Sequence, residues 1–350
     1  MKLRFGSKFF FKKDNGVSAF QEQKTLVRAY QAALDTSPAG QSAQAIAPFM
    51  VRDLDWRGMH PFHEQAGPQA VAELFWDPLK RAMGPLQRRP DIFIAGQSEK
   101  GDAGAVWVVE MGQLMGNWMQ PWLDIPATRK LAFLRYAEFN RVEDGQIVQS
   151  AFFCDILHMM RQAGIIAVPH QTGQFMIAPG PRGGGGLLYD AQDAGEGAQT
   201  LYLIDRMCDN INVNRTRFAS FEDELADTWT RDMTWSGPTG IGASYTIPRY
   251  IEQHSGPFRT RLENRQFVGH LSRVAEGNFG GFFGWPNLSV QNGGGYMGQP
   301  KNDVQAEMRV VDMYRREGDK LAENWIFIDM LHYLNQQGLD VLARMREAHS

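Results

Sequence analysis

The stretch "VEDGQIVQSAFFCDILHMMRQAG" (142–164) has a counterpart, "REGDKLAENWIFIDMLHYLNQQG" (316–338), that aligns to it without a gap. Each copy reads as an acidic-glycine turn, a short apolar strand, Asp-x-Leu-His, and a short helix that stops at glycine. The correspondence extends outward. Pro126, Arg135, Asp155, His158 and Gly164 recur at one constant spacing as Pro300, Arg309, Asp329, His332 and Gly338. Arg52-Asp53 and Trp56 recur as Arg231-Asp232 and Trp235 at a slightly longer spacing, which implies a net difference in loop length between the anchors. A repeat unit this long is a duplicated domain, not a solenoid.

Between the copies runs "PGPRGGGGLLYDAQDAGEGAQT" (179–200), too rich in Gly and Pro to pack densely. The expected division is a first domain over 18–178, a linker over 179–199 and a second domain over 200–347. No Lys-Ser/Thr follows the "GGGG" at 183–186, which argues against a phosphate-cradling loop.

In the first copy, helices are expected over 18–34 and 70–83, strands over 91–96, 105–116, 130–142 and 146–155, and a closing helix over 156–163. The second copy offers "FEDELADTW" and "IPRYIEQHSGPFRTRL" for the helices, then three strand-like runs. Helices first and antiparallel strands after them give an α+β fold, not a doubly wound sheet. A strongly curved, mostly antiparallel sheet covered by the N-terminal helices makes a cone with a pocket between helix and sheet.

Composition narrows the function classes. The chain is 43% hydrophobic and 21% charged, with a formal charge of -3. Nothing basic asks for nucleic acid or an anionic membrane surface, and no apolar run reaches the length of a span. The N-terminal "MKLRFGSKFFFKK" is a poor signal peptide, and its "FFF" (9–11) reads as a disordered lead or as an arm that packs on a partner. Two cysteines, Cys154 and Cys208, beside apolar residues fit a reducing, cytoplasmic setting and offer no metal spacing.

The order of motifs resembles the SnoaL-like polyketide cyclase and ester cyclase group of the nuclear-transport-factor-two-like superfamily. The residues that carry the resemblance are Asp53, Trp56, His60-Pro61, Gly67, Pro126, Asp144-Gly145, Asp155 and Gly164. A looser second set is Asp232, Trp235, Pro300, Gly318, Asp329 and Gly338. The resemblance implies α+β cones in tandem. It also implies intramolecular aldol closure in an apolar pocket, with an aspartate as acid and base and no metal. Relatives with this cone isomerise, dehydrate, hydrolyse or only bind.

Asp155 and Asp329 are the leading catalytic candidates, because a carboxyl buried among Phe152, Phe153 and Met159 has a raised pKa suited to proton abstraction. The competing reading makes each aspartate a helix N-cap, which lowers the pKa instead. His158 and His332 lie on the same helix face, either as oriented bases or as core fillers. Glu138 is the second acid of a candidate pair, with an outward ion pair as its alternative. On its strand Leu134, Tyr136, Glu138 and Asn140 share one face; in the second copy Met308, Val310, Asp312 and Tyr314 do. Trp56, His60, Trp107, Glu110, Trp118, Tyr136, Trp235, Asp312 and His332 are candidate substrate contacts. His60, His63 and Glu64 lack helical spacing, so a metal site is disfavoured.

Three functions follow. The first is a cofactor-independent acid/base enzyme acting on a small apolar or aromatic carbonyl metabolite. The second is a binding module without chemistry. The third is a scaffold in which one copy keeps a pocket and the other mainly pairs with it. The two copies are expected to form a pseudo-dimer within one chain, with a homodimer of chains as a further option.

Overall fold

The hairpin that reveals the duplication forms as read. In the computed structural model, which describes residues 19–168, 172–175, 178–212 and 217–349, Asp144 (φ 49°) and Gly145 (φ 74°) make its two-residue turn. Positive φ at both positions is what a tight right-twisted hairpin needs, and Asp-Gly supplies it cheaply. The "FFF" at 9–11 lies outside the described residues.

The first half begins with α1 (Gln21–Thr36) and α2 (Ser42–Ile46). Next come β1 (Met50–Gly58), β2 (His63–Ala66) and α3 (Gly67–Val71), which passes through a π turn (Ala72–Trp76) into α4 (Asp77–Met83). The strands β3 (Gln87–Gln97), β4 (Val106–Asn117), β5 (Leu131–Glu143) and β6 (Gln146–Cys154) lead to α5 (Ile156–Gln162). α1 is held by one buried stripe, Lys24, Val27, Tyr30, Gln31 and Leu34, at the spacing of a single helix face.

The second half repeats the order with additions. α6 (Ala194–Asn212) and α7 (Phe221–Thr228) precede β7 (Trp229–Ser236) and β8 (Ala243–Tyr245). α8 (Ile247–Tyr250) passes through a second π turn (Ile251–Ser255) into α9 (Gly256–Arg261). The sheet strands are β9 (Leu262–Phe267), β10 (Ser272–Glu276), β11 (Phe279–Asn292), β12 (Gln305–Glu317) and β13 (Lys320–Ile328), followed by α10 (Met330–Gln336) and α11 (Val341–His349). α6 starts inside the stretch expected as linker, because the Asp193 carboxylate accepts the N–H groups of Gly195 and Glu196 and nucleates a first turn.

The expected cone does not form. The sheet orders are β2-β1-β6-β5-β4-β3 and β10-β11-β12-β13-β7-β8, with β9 on β11. Both sheets are open and neither is strongly curled. Both are mixed, since β1 joins β6 in parallel and β7 joins β13 in parallel. The physical reason is that each sheet buries two faces. One face takes its own helices and the other meets the partner sheet, which a sheet wrapped tightly around its helices would not present flatly.

Ile92, Val109, Phe139 and Phe153 from the first sheet pack with Phe283, Val311, Met313 and Phe327 from the second. A Cβ at Gly96 would stand 3.1 Å from the Val274 side chain, so glycine permits the close approach there. Lys24, 1% exposed, ties α1 to the second half by donating to Glu276 Oε1 and to the Leu188 carbonyl, both at 2.6 Å. No helix among the described residues is long and apolar enough to cross a membrane.

Candidate functional site

Asp155 and Asp329 have one and the same employment. Asp155 Oδ1 accepts the His158 backbone N–H at 2.9 Å and so caps α5, while Oδ2 accepts the Thr239 N–H of the other half at 2.9 Å. Asp329 Oδ1 accepts the His332 N–H at 3.2 Å, and Oδ2 accepts the His60 N–H of the first half at 2.9 Å. Arg135 and Arg309 stand 3.7 Å from their respective carboxylates. Arg135 also reaches across to the carbonyls of Ser236, Gly237 and Ile326. The duplicated Asp-x-Leu-His motif is therefore a clasp made twice, each half gripping the backbone of the other.

Burial pushes Asp329 up to about 6, against its two backbone donors and Arg309. The cleft between the two aspartates has a volume of about 10 Å3, room for one water. These carboxylates sit between the halves and not at the floor of a hollow. His158, 1% exposed, lies against Gln162 and the Phe175 ring. His60 and His332 belong to the same seam, each within ring contact of His63, which lies 3.1 Å from Arg309. Trp107 is in the layer between the sheets, its ring 5.4 Å from Phe283. Among the described residues no three His, Cys, Asp or Glu side chains gather as metal ligands.

Glu138 does face the interior of the first half, but that interior is full. Its oxygens take the Tyr30 hydroxyl at 2.8 Å, the Gln31 amide at 3.2 Å and Arg88 at 3.4 Å. Arg88 also binds Glu110 at 3.0 Å, and Glu110 accepts the Tyr136 hydroxyl. Tyr136 stacks on Phe152 (5.4 Å), and Phe75 and Trp76 close on the same ring at 4.9 and 5.1 Å. Trp56 packs on Phe75, and Trp118 is fully buried.

The second half is open where the first is plugged. A cavity of about 230 Å3 lies between its sheet and α6, α7 and the α8–α9 helix. From β12 it receives Met308, Val310, Asp312 and Tyr314, the face that the alternation of the strand selects. Residue pairs explain the space. The two π turns correspond position by position, so His254 stands where Phe75 does and Ser255 where Trp76 does. Val310 replaces Tyr136, and Ile326 replaces Phe152. Each change removes aromatic volume from one spot.

We expect Ser255→Trp to restore the plug and weaken binding of a small aromatic probe such as 2-naphthol by about tenfold or more, with Ser255→Ala near wild type. Fluorescence titration measures it, and equal affinity in all three proteins would place the probe elsewhere.

Asp312 is the chemically distinct group of this cavity. It is buried, it accepts the Asn324 amide at 3.0 Å, and Tyr314 bonds to it as well. No salt bridge reaches it among the described residues, unlike Asp155, Asp329 and Glu138. Burial pushes its carboxyl up to about 7, with Asn324 and Tyr314 restraining the rise.

Trp235 stacks on His254 at 4.1 Å, and burial lowers that imidazole to about 3, so it stays neutral. His270 stacks on Phe282 at 3.8 Å. Arg259 is matched by a two-pronged pairing with Glu224 at 2.8 and 2.6 Å. Tyr250 completes the wall, its phenol raised by burial.

Sequence reasoning named Trp235 and Asp312 but missed Tyr250, His254, Ser255, His270 and Asn287. Tyr250 and His254 are one helical turn apart on one face, a signal present in "YIEQH". His270 and Asn287 carry no local signal, since only the pairing of β9, β10 and β11 brings them together.

No family model matches this chain, and no curated protein does. Several solved structures resemble part of it. A candidate SnoaL-like polyketide cyclase from a Jannaschia species is 15% identical, covering 43% of this chain and 95% of its own at a TM-score of 0.31. An NTF2-like protein from Burkholderia thailandensis is 20% identical, covering 41% of this chain and 97% of its own at 0.31. TerC, crystallised with polyporic acid, is 15% identical, covering 41% and 98% at 0.29.

Proposed function

We propose that this protein performs cofactor-independent acid/base chemistry, of the lyase or isomerase kind, on a small, mostly apolar carbonyl compound held in the second-half cavity. Asp312 is the base. Its carboxylate takes a proton from the carbon beside the carbonyl, the C–H electron pair moves into the new C=C bond, and the carbonyl π pair moves to oxygen. The resulting Asp312 carboxylic acid returns the proton at another carbon or to a leaving group.

The observation that carries this reading is a buried carboxyl that no salt bridge reaches among the described residues, at the wall of a largely apolar cavity of about 230 Å3. A carboxyl near 7 is poised to hold and release a proton at neutral pH. Apolar walls strengthen each remaining electrostatic contact. In this reading the first half, residues 18–178, supports the second, residues 200–347. Two free, buried cysteines favour a reducing, cytoplasmic setting.

The test needs no natural substrate. The full chain is incubated in deuterated water with a panel of cyclic and aryl ketones, and uptake at the α-carbon is read by mass spectrometry. Exchange above background is expected, falling about tenfold per pH unit below pH 7 as the base is protonated. The sign follows from Asp312 acting as carboxylate, so the rate rises with pH and levels off above its pKa of about 7. Ketone binding without exchange reduces the protein to a binding module.

A further inference from the structure

We propose that His270 is the hydrogen-bond donor that receives the substrate's carbonyl oxygen, its tautomer locked by Arg273; this rests on the acid/base reading and supplies its electrophilic half.

Arg273 Nε lies 3.0 Å and Nη2 2.8 Å from His270 Nδ1. A guanidinium has donors only, so Nδ1 must offer its lone pair, and the single ring proton of the neutral imidazole resides on Nε2. Burial, with Arg273 beside it, holds the ring neutral, pushed down to about 2. Arg273 is itself fixed by the Asp205 carboxylate of α6. Asp205, Arg273 and His270 thus form a chain that orients one N–H, with Asp205 and Arg273 as positioning residues and only His270 reaching the ligand.

The N–H serves the cavity. His270 is one of its wall residues, its ring stacked on Phe282, and Phe282 is the direct cross-strand neighbour of Asp312 on the same face. A molecule lying on that wall has the base at one side and the imidazole donor at the other. Beside the imidazole is the Asn287 carboxamide, 7% exposed, whose side chain hydrogen-bonds to the ring, so a ligand oxygen takes over that N–H from Asn287.

A developing enolate oxygen would gain from this preorganised donor more than the ground-state carbonyl does.

The experiment has two parts. Long-range 1H–15N spectra of the 15N-labelled full chain are expected to show His270 with a protonated Nε2 and a bare Nδ1 from pH 5 to 9. A ring protonated at Nδ1, or at both nitrogens, overturns the proposal without any variant. The second part uses 4-nitrophenol, whose visible absorbance distinguishes phenol from phenolate. At pH 6, where Asp312 already holds its proton, it is expected to bind as phenolate, its own proton released to solvent.

His270→Leu is expected to weaken that binding by about tenfold or more, and His270→Gln, which keeps an N–H near the Nε2 position, to restore most of it. If His270→Leu binds like wild type while Asp312→Asn does not, the donor role fails and the base survives. If wild type does not bind the probe, the proposal fails; if wild type also leaves every ketone unexchanged, the acid/base reading fails with it.

Discussion

Asp312→Asn is expected to stabilise the protein by about 3 kcal/mol at pH 8, to change it little at pH 4, and to abolish ketone exchange. An unfolded aspartate titrates near 4. In the fold the carboxyl titrates at about 7 because burial disfavours its charge. Below pH 4 both states hold the proton, and the group costs little. As pH rises from 4 to 7 the unfolded chain releases a proton that the folded chain retains, so stability falls; above 7 the full penalty is present.

About three pK units at about 1.4 kcal/mol each set an upper figure near 4, which water in the cavity reduces. Asparagine keeps an oxygen for the Asn324 amide and carries no charge to bury. Urea unfolding at pH 4.5 and pH 8 measures the difference. A variant less stable than wild type at both values would make Asp312 a structural residue and remove the base from the proposed reaction.

The second large effect lies at the seam. Arg135→Ala is expected to destabilise the chain by about 3–5 kcal/mol, because it removes one partner of a buried ion pair. It also strands the carbonyls of Ser236, Gly237 and Ile326. Asp155→Asn, by contrast, retains an acceptor for the His158 or the Thr239 N–H, and its cost is expected to be smaller. Exchange activity in Asp155→Asn is expected to stay near wild type. Loss of exchange in a folded Asp155→Asn protein would return catalysis to the repeated aspartate.

The strongest sequence signal marked the seam and not the cavity. Asp155, His158, Arg135 and their counterparts repeat because both copies grip each other in the same way, and a shared structural task repeats more faithfully than a site present once. The alternation along β12 was legible in "MRVVDMY": it put Met308, Val310, Asp312 and Tyr314 on one face, but not which way that face turns. What stayed hidden was which interior is empty. That depends on Trp76 against Ser255 and Phe152 against Ile326, where single side chains from different elements converge on one spot. No periodicity reports such a coincidence.

β1 and β7 were missed as strands because their parallel pairing with β6 and β13 joins segments far apart in the chain. Curvature was misjudged for a related reason. Strand patterning tells which face is apolar, but not whether helices or a second sheet will cover it.

A symmetric dimer of separate chains must write every substitution twice. Joining the two sheets in one polypeptide releases that constraint, so a bulky residue can be kept on one side and dropped on the other. The tether also holds the partners at a high effective concentration, so the seam between them does not have to withstand dilution. A homodimer cannot hold the unequal pair Trp76 and Ser255; in a fused protein one half can become solid while the other stays hollow.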